Sequence, residues 1–476
     1  MLLGKIKGKR VTVVGLARSG AGAANLLSGL GADVTVTDMK KEEELKEYVQ
    51  QLDPAVKLAL GGHPEEIFTG AEMLVISPGV ASDIRPVIHA KSKGVPVIGE
   101  LELAYQAVAS RESESGCRTR FLGVTGTNGK STTTALLDFM MKKSGMHTIL
   151  GGNIGNALTG EIQNAFKPNN GAAADFIVAE ISSFQLETIM DFRPYVSAII
   201  NITPDHLDRY HSMEDYRSAK YRIYENQREE DAIVLNFDDP ETMRIGAEKI
   251  KMKRVFPRVC YFSRKQEVRG LYLKDGVVCC NIPEMHPENT ALPLIGAGEI
   301  KIKGVHNLEN AMAASAMALL AGCTLTAVTD SLKEFSGLEH RLEFVREIDG
   351  IRYYNDSKGT NVGAVIKSLE SFPEPVILIA GGRDKAGDFS LLGPLVKERV
   401  RTAVLIGEAA GKIRAALKDH TLIIMAEDLS DAVEKSRSAA VKGDVVLLSP
   451  ACASFDMFLN FEDRGKQFKK IVMGLT

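Results

Sequence analysis

Cysteine is scarce in this 476-residue chain, and its six copies, Cys117, Cys260, Cys279, Cys280, Cys323 and Cys452, include no C-x-x-C pair. That pattern suggests neither a zinc knuckle nor a disulfide scaffold, and scattered thiols fit a reducing cytosol. An excess of one charge is missing too: 58 Lys and Arg against 61 Asp and Glu leave −3. No strongly basic face follows, so nucleic acid is not an expected partner. No run approaches the roughly 18 apolar residues that cross a membrane. The opening Met1-Leu-Leu-Gly-Lys-Ile-Lys-Gly-Lys-Arg10 lacks an apolar signal core. A cytoplasmic protein without membrane insertion is expected. There is no low-complexity tract and no fixed-period repeat. What remains is an ordinary globular composition, 45% hydrophobic and 25% charged, with a length that suits about three domains.

The most informative segment is Gly123-Val-Thr-Gly-Thr-Asn-Gly-Lys-Ser-Thr132, directly after the apolar run Phe121–Val124. A strand that turns through glycines into a Lys-Ser helix start is a phosphate cradle. Backbone N–H groups and the helix N-terminus face the anion, Lys130 supplies a point charge, and the Ser131 hydroxyl can reach Mg²⁺. Val124 stands where the common G-x-x-x-x-G-K-[ST] form has its first glycine. The plainer reading is a glycine-rich turn with a solvated lysine.

Apolar β-rich runs recur along the chain, each followed by turn residues and a helical pattern: Val11–Val14, Val34–Val36, Met73–Ile76, Phe121–Val124, Phe176–Ala179, Val196–Ile200, Val376–Ile379, Ala403–Ile406 and Val445–Leu448. Such runs suit strands buried on both faces of a parallel sheet, and the alternation predicts an α/β fold. Ligands then gather at the carboxyl ends of the strands. The charged, serine-rich stretch Ala109–Arg120 is predicted as a linker, and a second boundary is placed at Ser336-Gly337, where a helix Thr326–Phe335 ends. Residues 255–302 read as hairpins and loops without a motif.

Several polar clusters sit at the predicted strand ends. Gly15 and Gly20 with Asp38 resemble a dinucleotide fingerprint of the wrong spacing; a tight turn and a solvated acid would use the same residues. Ser77-Pro78-Gly79 closes the next strand. Glu180 ends Phe176–Glu180 and is placed to hold Mg²⁺, or else to cap the next helix. His206 shares a loop with Asp205 and Asp208, which suits a metal or substrate role as well as a structural one. Lys220, in a charge-rich helical stretch, reads locally as a surface residue. Asn307 is the predicted cap of a helix Asn307–Ala321. Arg341, Asp356 with Lys358, Gly381-Gly-Arg-Asp-Lys385, Ser449-Pro-Ala-Cys-Ala-Ser454 and Asn460-Phe-Glu-Asp-Arg-Gly465 together predict a second ligand surface in a C-terminal domain.

In order, Gly-Thr-Asn-Gly-Lys-Ser-Thr132, Gly151-Gly-Asn-Ile-Gly155, Glu180-Ile-Ser-Ser-Phe-Gln-Leu-Glu187, Asp205-His-Leu-Asp-Arg-Tyr210, His306-Asn-x-x-Asn310, His340-Arg341, Asn355-Asp-Ser-Lys358 and Leu448-Ser-Pro-Ala-Cys-Ala-Ser454 resemble the Mur ligases. These are ATP-dependent amide ligases of peptidoglycan precursor synthesis, and the closest resemblance is to the branch that adds D-glutamate to UDP-N-acetylmuramoyl-L-alanine. The resemblance spans essentially the whole chain. It implies three domains: a Rossmann-like UDP-substrate domain (1–110), a central P-loop ATPase-like domain with a mostly parallel sheet (111–336), and a Rossmann-like C-terminal domain for the incoming amino acid (337–476). It assigns Leu16, Asp38, Ser77, Pro78 and Gly79 to the UDP end of the substrate, and Asn153 and His206 to its acyl end. Gly126, Thr127, Asn128, Gly129, Lys130, Ser131 and Thr132 would hold ATP phosphates, with Asn307, Asn310, Arg341 and Asp356 also on ATP. Ser131 and Glu180 would serve one Mg²⁺, and His206 and Lys220 a second, Lys220 as its carbamate. Lys358, Thr360, Lys385, Ser454, Phe455 and Phe461 would line the amino-acid site, with Phe455 where the family commonly has leucine. Lys130, Glu180, His206 and Lys220 would be the catalytic set. The implied protein is a monomer whose third domain closes on its second. Three alternatives stand beside it: a sister ligase adding folate glutamate or another muramoyl-peptide residue, a dinucleotide-dependent oxidoreductase, and a nucleotide switch without chemistry.

Overall fold

The computed structural model describes residues 2–115, 118–166, 174–205, 209–210, 212–251, 256–283, 291–384 and 387–475. The expected site residues His206 and Lys385 lie outside the described residues. The chain divides into two compact units, Met1–Glu299 with Glu309–Glu334, and Ile300–Leu308 with Phe335–Thr476.

The first unit contains two sheets. β1 (Arg10–Val14), β2 (Asp33–Asp38), β3 (Lys57–Leu60), β4 (Met73–Ile76) and β5 (Val97–Gly99) are all parallel, in the order β3-β2-β1-β4-β5. This is the ordering of a Rossmann half, with its switch point between β1 and β4. The second sheet comprises β6 (Arg120–Thr125), β7 (Thr148–Gly152), β8 (Phe176–Glu180), β9 (Val196–Ile199), β10 (Ala232–Asn236), β11 (Arg258–Ser263), β12 (Gly270–Lys274), β13 (Val277–Asn281) and β14 (Leu292–Gly296). Its order is β14-β13-β12-β11-β10-β9-β6-β8-β7, parallel except where β12, β13 and β14 meander. Every residue of β8 and β10 is buried, as the unbroken apolar runs require of strands covered on both faces.

Buried carboxylates tie the two sheets of this unit together. Glu102 accepts from the backbone N–H groups of Met190 (2.8 Å), Asp191 (3.0 Å) and Phe192 (2.9 Å). Glu100 accepts from Thr159 N at 2.7 Å and Thr159 Oγ1 at 2.9 Å, and burial raises its pKa. Both come from the helix Glu100–Ser115, which corrects the expected linker at Ala109–Arg120. The helix runs through Ala109–Ser115, and Arg120 already opens β6.

The second unit holds β15 (Glu343–Ile348), β16 (Ile351–Asn355), β17 (Val376–Gly381), β18 (Val400–Ile406), β19 (Leu422–Met425) and β20 (Val445–Leu448), in the order β15-β16-β20-β17-β18-β19. Only β15 is antiparallel to its neighbour. Two apolar clusters, one on each face, bury this sheet. Among the described residues of 255–302, β11–β14 extend the second sheet, with β12–β14 as an antiparallel meander. The expected helix Asn307–Ala321 is Val305–Leu320. Asn307 is therefore not its cap; the amide donates back to Lys303 O at 2.8 Å from within the first turn.

Candidate active site

β6 ends between Glu180 of β8 and Ile199 of β9, since Val124 pairs with Glu180 and Thr125 with Ile199. The chain then turns through Gly126 (φ 153°) and Gly129 (φ 84°) into the helix Lys130–Lys143. Both glycines are required. A Cβ on Gly126 would lie 2.5 Å from Ile200 Cγ1, and one on Gly129 would lie 2.2 Å from Asn310 Oδ1. Gly129 is also the helix N-cap and has no side chain to accept the first N–H groups. The turn thus presents backbone donors at a positive helix end, the arrangement that receives phosphate. Asn201 locks it: its Oδ1 accepts from Asn128 N at 2.8 Å and Thr127 N at 3.2 Å, and its Nδ2 donates to Asn128 O at 3.0 Å. Ser131 and Thr132 are buried in the first turn of the helix.

Two ammonium groups converge behind the loop. Lys130 Nζ donates to Gly126 O at 2.9 Å and Thr127 O at 2.8 Å, and Lys220 Nζ donates to the same Gly126 O at 2.9 Å. Lys220 is only 1% exposed, which overturns its local reading as a surface residue. Burial, with the charge of Lys130 beside it, pushes Lys220 well below the ordinary lysine range, partly offset by Asp205. Its ammonium lies 4.5 Å from the ring centre of Tyr216, whose hydroxyl meets Thr127 Oγ1 at 3.1 Å. Glu180 is 2% exposed. Its Oε1 accepts from Asn153 Nδ2 at 2.8 Å, while its Oε2 has no hydrogen-bond partner among the described residues. A buried carboxylate oxygen left open on the strand next to the one that leads into the phosphate loop fits the hard-oxygen donor set of Mg²⁺. It does not cap the next helix; Ser182 does that, accepting from Gln185 N.

At the switch point of the first sheet, Asp38 Oδ2 accepts from Leu16 N at 2.7 Å and Oδ1 from Lys40 N at 2.9 Å. Ser77 Oγ donates to Gly15 O at 2.8 Å. A Cβ on Gly20 would lie 2.0 Å from Gly15 O, so Gly20 is there for close packing of strand to helix. Leu16, Asp38, Ser77, Pro78 and Gly79 are thereby gathered on one rim.

In the second unit, Asp356 and Ser449 stand at the carboxyl ends of the adjacent strands β16 and β20. Asp356 Oδ2 accepts from Ser368 Oγ and Ser449 Oγ, both at 2.6 Å. Burial raises its pKa against these bonds and the charge of Arg341. Arg464, which residue-by-residue reading left without a role, is 1% exposed and clamps two loops. Its Nε donates to Ser357 Oγ at 2.9 Å, and its Nη2 to Ser357 O at 2.8 Å and Cys452 O at 3.3 Å. Burial lowers its pKa to about 10. Ala451, in the second of these loops, has φ 61°, a conformation that costs a non-glycine residue on the order of 1 kcal/mol. Lys358 Nζ lies 5.7 Å over the Phe461 ring, Thr360 N donates to Lys358 O at 2.9 Å, Ser454 is buried and Phe455 is 60% exposed. Nearby, Glu339, His340 and Glu343 bring possible metal ligands within 4.8 Å, but Lys469 bridges both carboxylates at 3.0 and 2.5 Å, so the group reads as an ion-pair network.

Of the expected residues, the first unit brings together the 126–132 loop, Asn153, Glu180, Lys220 and Asn310, and the second brings together Arg341, Asp356, Lys358, Thr360, Ser454 and Phe461. Asn201 and Tyr216 carried no local signal, and Arg464 was read only as part of the Asn460–Gly465 cluster; the role of each comes from what it touches.

Three family models match the chain: Mur ligase MurD-like N-terminal domain over residues 9–99, Mur ligase middle domain over 124–318, and Mur ligase glutamate ligase domain over 340–452. The UDP-N-acetylmuramoylalanine–D-glutamate ligases of Caldanaerobacter subterraneus and Geotalea daltonii are each 45% identical to it over 99% of both chains. Among solved structures, a pseudomurein peptide ligase type C from Methanothermus fervidus is similar in fold, with TM-score 0.59 at 19% identity, over 98% of this chain and 100% of that one. The MurF ligase of Thermotoga maritima, solved with ADP, also has TM-score 0.59, at 15% identity over 99% and 96%. By these full-length matches, the chain belongs to the Mur ligase family, and within it to the MurD type.

Proposed function

We propose that this chain is the ATP-dependent ligase that joins D-glutamate to UDP-N-acetylmuramoyl-L-alanine in peptidoglycan precursor synthesis, acting as a cytoplasmic monomer. Residues 1–110 hold the UDP substrate, 111–336 hold ATP, and 337–476 hold the amino acid and complete the ATP site. The observation that carries the reading is the glycine-shaped phosphate loop, with Lys130 across it and the open oxygen of Glu180 beside it.

The carboxylate of the UDP substrate attacks the γ-phosphorus of ATP, giving an acyl phosphate and ADP. The D-glutamate amine then attacks the acyl carbon, an amide bond forms, the nitrogen loses a proton, and phosphate leaves. No protein nucleophile is needed. The residues must hold anions together: two unit charges about 4 Å apart interact by roughly 4 kcal/mol near a protein surface. Loop amides and Lys130 hold the phosphates, and Arg341 adds a further positive charge. Ser131 and Glu180 would hold one Mg²⁺, and His206 and Lys220 a second; the metal supplies charge neutralisation on the phosphates. Asn307, Asn310 and Asp356 complete the nucleotide site. Leu16, Asp38, Ser77, Pro78 and Gly79 take the UDP end and Asn153 the acyl end, while Lys358, Thr360, Lys385, Ser454, Phe455 and Phe461 take D-glutamate.

The depressed pKa of Lys220 supports its carbamate form. A neutral amine adds to CO₂, forming an N–C bond and releasing a proton, and the product is an anionic ligand that an ammonium could not be. Mass spectrometry of the product from ATP, UDP-N-acetylmuramoyl-L-alanine and each of a panel of amino acids tests the whole reading. The expected product carries one D-glutamate; turnover with another amino acid, or with none, would replace it.

A further inference from the structure

The segments Ser183–Glu187 and Asp205–Tyr210 help to mark the family, yet nothing in the reaction above uses Phe184, Glu187, Arg209 or Tyr210. They form one cluster. The Arg209 guanidinium lies 4.2 Å over the Phe184 ring, donates through Nη2 to Glu187 Oε2 at 3.1 Å, and reaches Pro78 O through Nη1 at 3.4 Å. Glu187 is shared, because its other oxygen accepts from Tyr210 OH at 2.6 Å. The Tyr210 ring stacks on Phe184 (5.8 Å, 14°) and tilts against Tyr216 at 5.2 Å. Tyr216 in turn meets Thr127 of the phosphate loop at 3.1 Å. A continuous run of contacts therefore links the Ser77-Pro78-Gly79 turn of one sheet to the phosphate loop of the other. Within this cluster, Arg209 makes the hydrogen bond to Pro78. A surface ion pair is the plainer account and is worth little. Three partners of different kinds, a carbonyl, a carboxylate and a ring face, instead use the planar fork of arginine in a way that a lysine cannot copy.

We propose that Arg209 is a positioning residue that holds the Ser77-Pro78-Gly79 turn in the geometry that receives the UDP substrate, with Glu187 and Phe184 fixing the guanidinium. This rests on the assignment of that turn to the UDP end. At 24% side-chain exposure Arg209 can be replaced without opening a core.

Two measurements on Arg209→Ala, Arg209→Lys and Glu187→Gln test it. In the ligand-free protein, hydrogen exchange at Ser77–Val80, where Val80 N donates to Ser77 O at 2.9 Å, is expected to speed up about tenfold in Arg209→Ala, and that of Thr127–Lys130 to stay unchanged. In turnover, the KM for the UDP substrate is expected to rise about tenfold in Arg209→Ala and Arg209→Lys. The KM values for ATP and D-glutamate should stay within about twofold. Adding Glu187→Gln to Arg209→Ala is expected to cost little more than Arg209→Ala alone. Unchanged exchange at the turn would overturn the proposal, as would full rescue by lysine, which would make Arg209 a simple charge. If the parent protein bound no UDP substrate, the assignment of the turn would fall, while the exchange arm would still report on Arg209.

Discussion

Lys130 and Lys220 share a carbonyl acceptor and do opposite work. Lys130 carries charge to the phosphate loop; burial and the neighbouring charge of Lys130 push the pKa of Lys220 well below the ordinary lysine value. Lys130→Ala is expected to lower ATP-dependent ligation by at least about 100-fold, the usual cost of removing one preorganised group from a charge-stabilising site, while UDP-substrate binding persists. Phosphate release and calorimetric titration with the UDP substrate check the two halves. The native pKa of Lys220 lies below its unfolded value of 10.5, so between those values the unfolded chain holds a proton that the folded chain does not. Stability from this group therefore rises with pH across that window, and Lys220→Met should flatten the slope in urea unfolding at a series of pH values. If the carbamate forms, activity is also expected to fall in buffer stripped of CO₂ and to return with bicarbonate.

At the scale of elements, the work is done where strands end. The turn after β6 is legible because only glycines tolerate its backbone; Gly129→Ala places a Cβ against Asn310 in a left-handed conformation and is expected to cost about 2 kcal/mol or more in thermal unfolding, with loss of ATP binding. The join between the two sheets of the first unit was not legible in advance. Glu102 sits in a helix whose last turns, from Ala109, the local charge pattern read as a linker, and its carboxylate satisfies three consecutive backbone donors. Glu102→Ala is expected to destabilise the protein by about 3 kcal/mol or more, because those buried donors lose their acceptor. A melting temperature within a degree of the parent would refute that role.

For the whole molecule, the candidate ATP residues fall in both compact units: the 126–132 loop and Asn310 in one, Asn307, Arg341 and Asp356 in the other. Ligation as proposed needs them to act on one nucleotide, so small-angle scattering is expected to change when ATP analogue, UDP substrate and D-glutamate are all added. The sequence by itself determined the α/β class, the strand runs and the phosphate turn, because unbroken apolar runs and obligatory glycines are local properties that survive in any fold that buries them. Ordered motifs along the chain were likewise enough to indicate the family. Tertiary structure alone decided that Lys220 is buried, that Asn201 locks the phosphate loop, that Glu180 keeps one oxygen open, and that Arg464 clamps two loops. Each of these depends on residues tens of positions apart meeting in a water-poor interior, where burial sets protonation and an unpaired polar atom becomes costly; spacing along a chain carries no record of that.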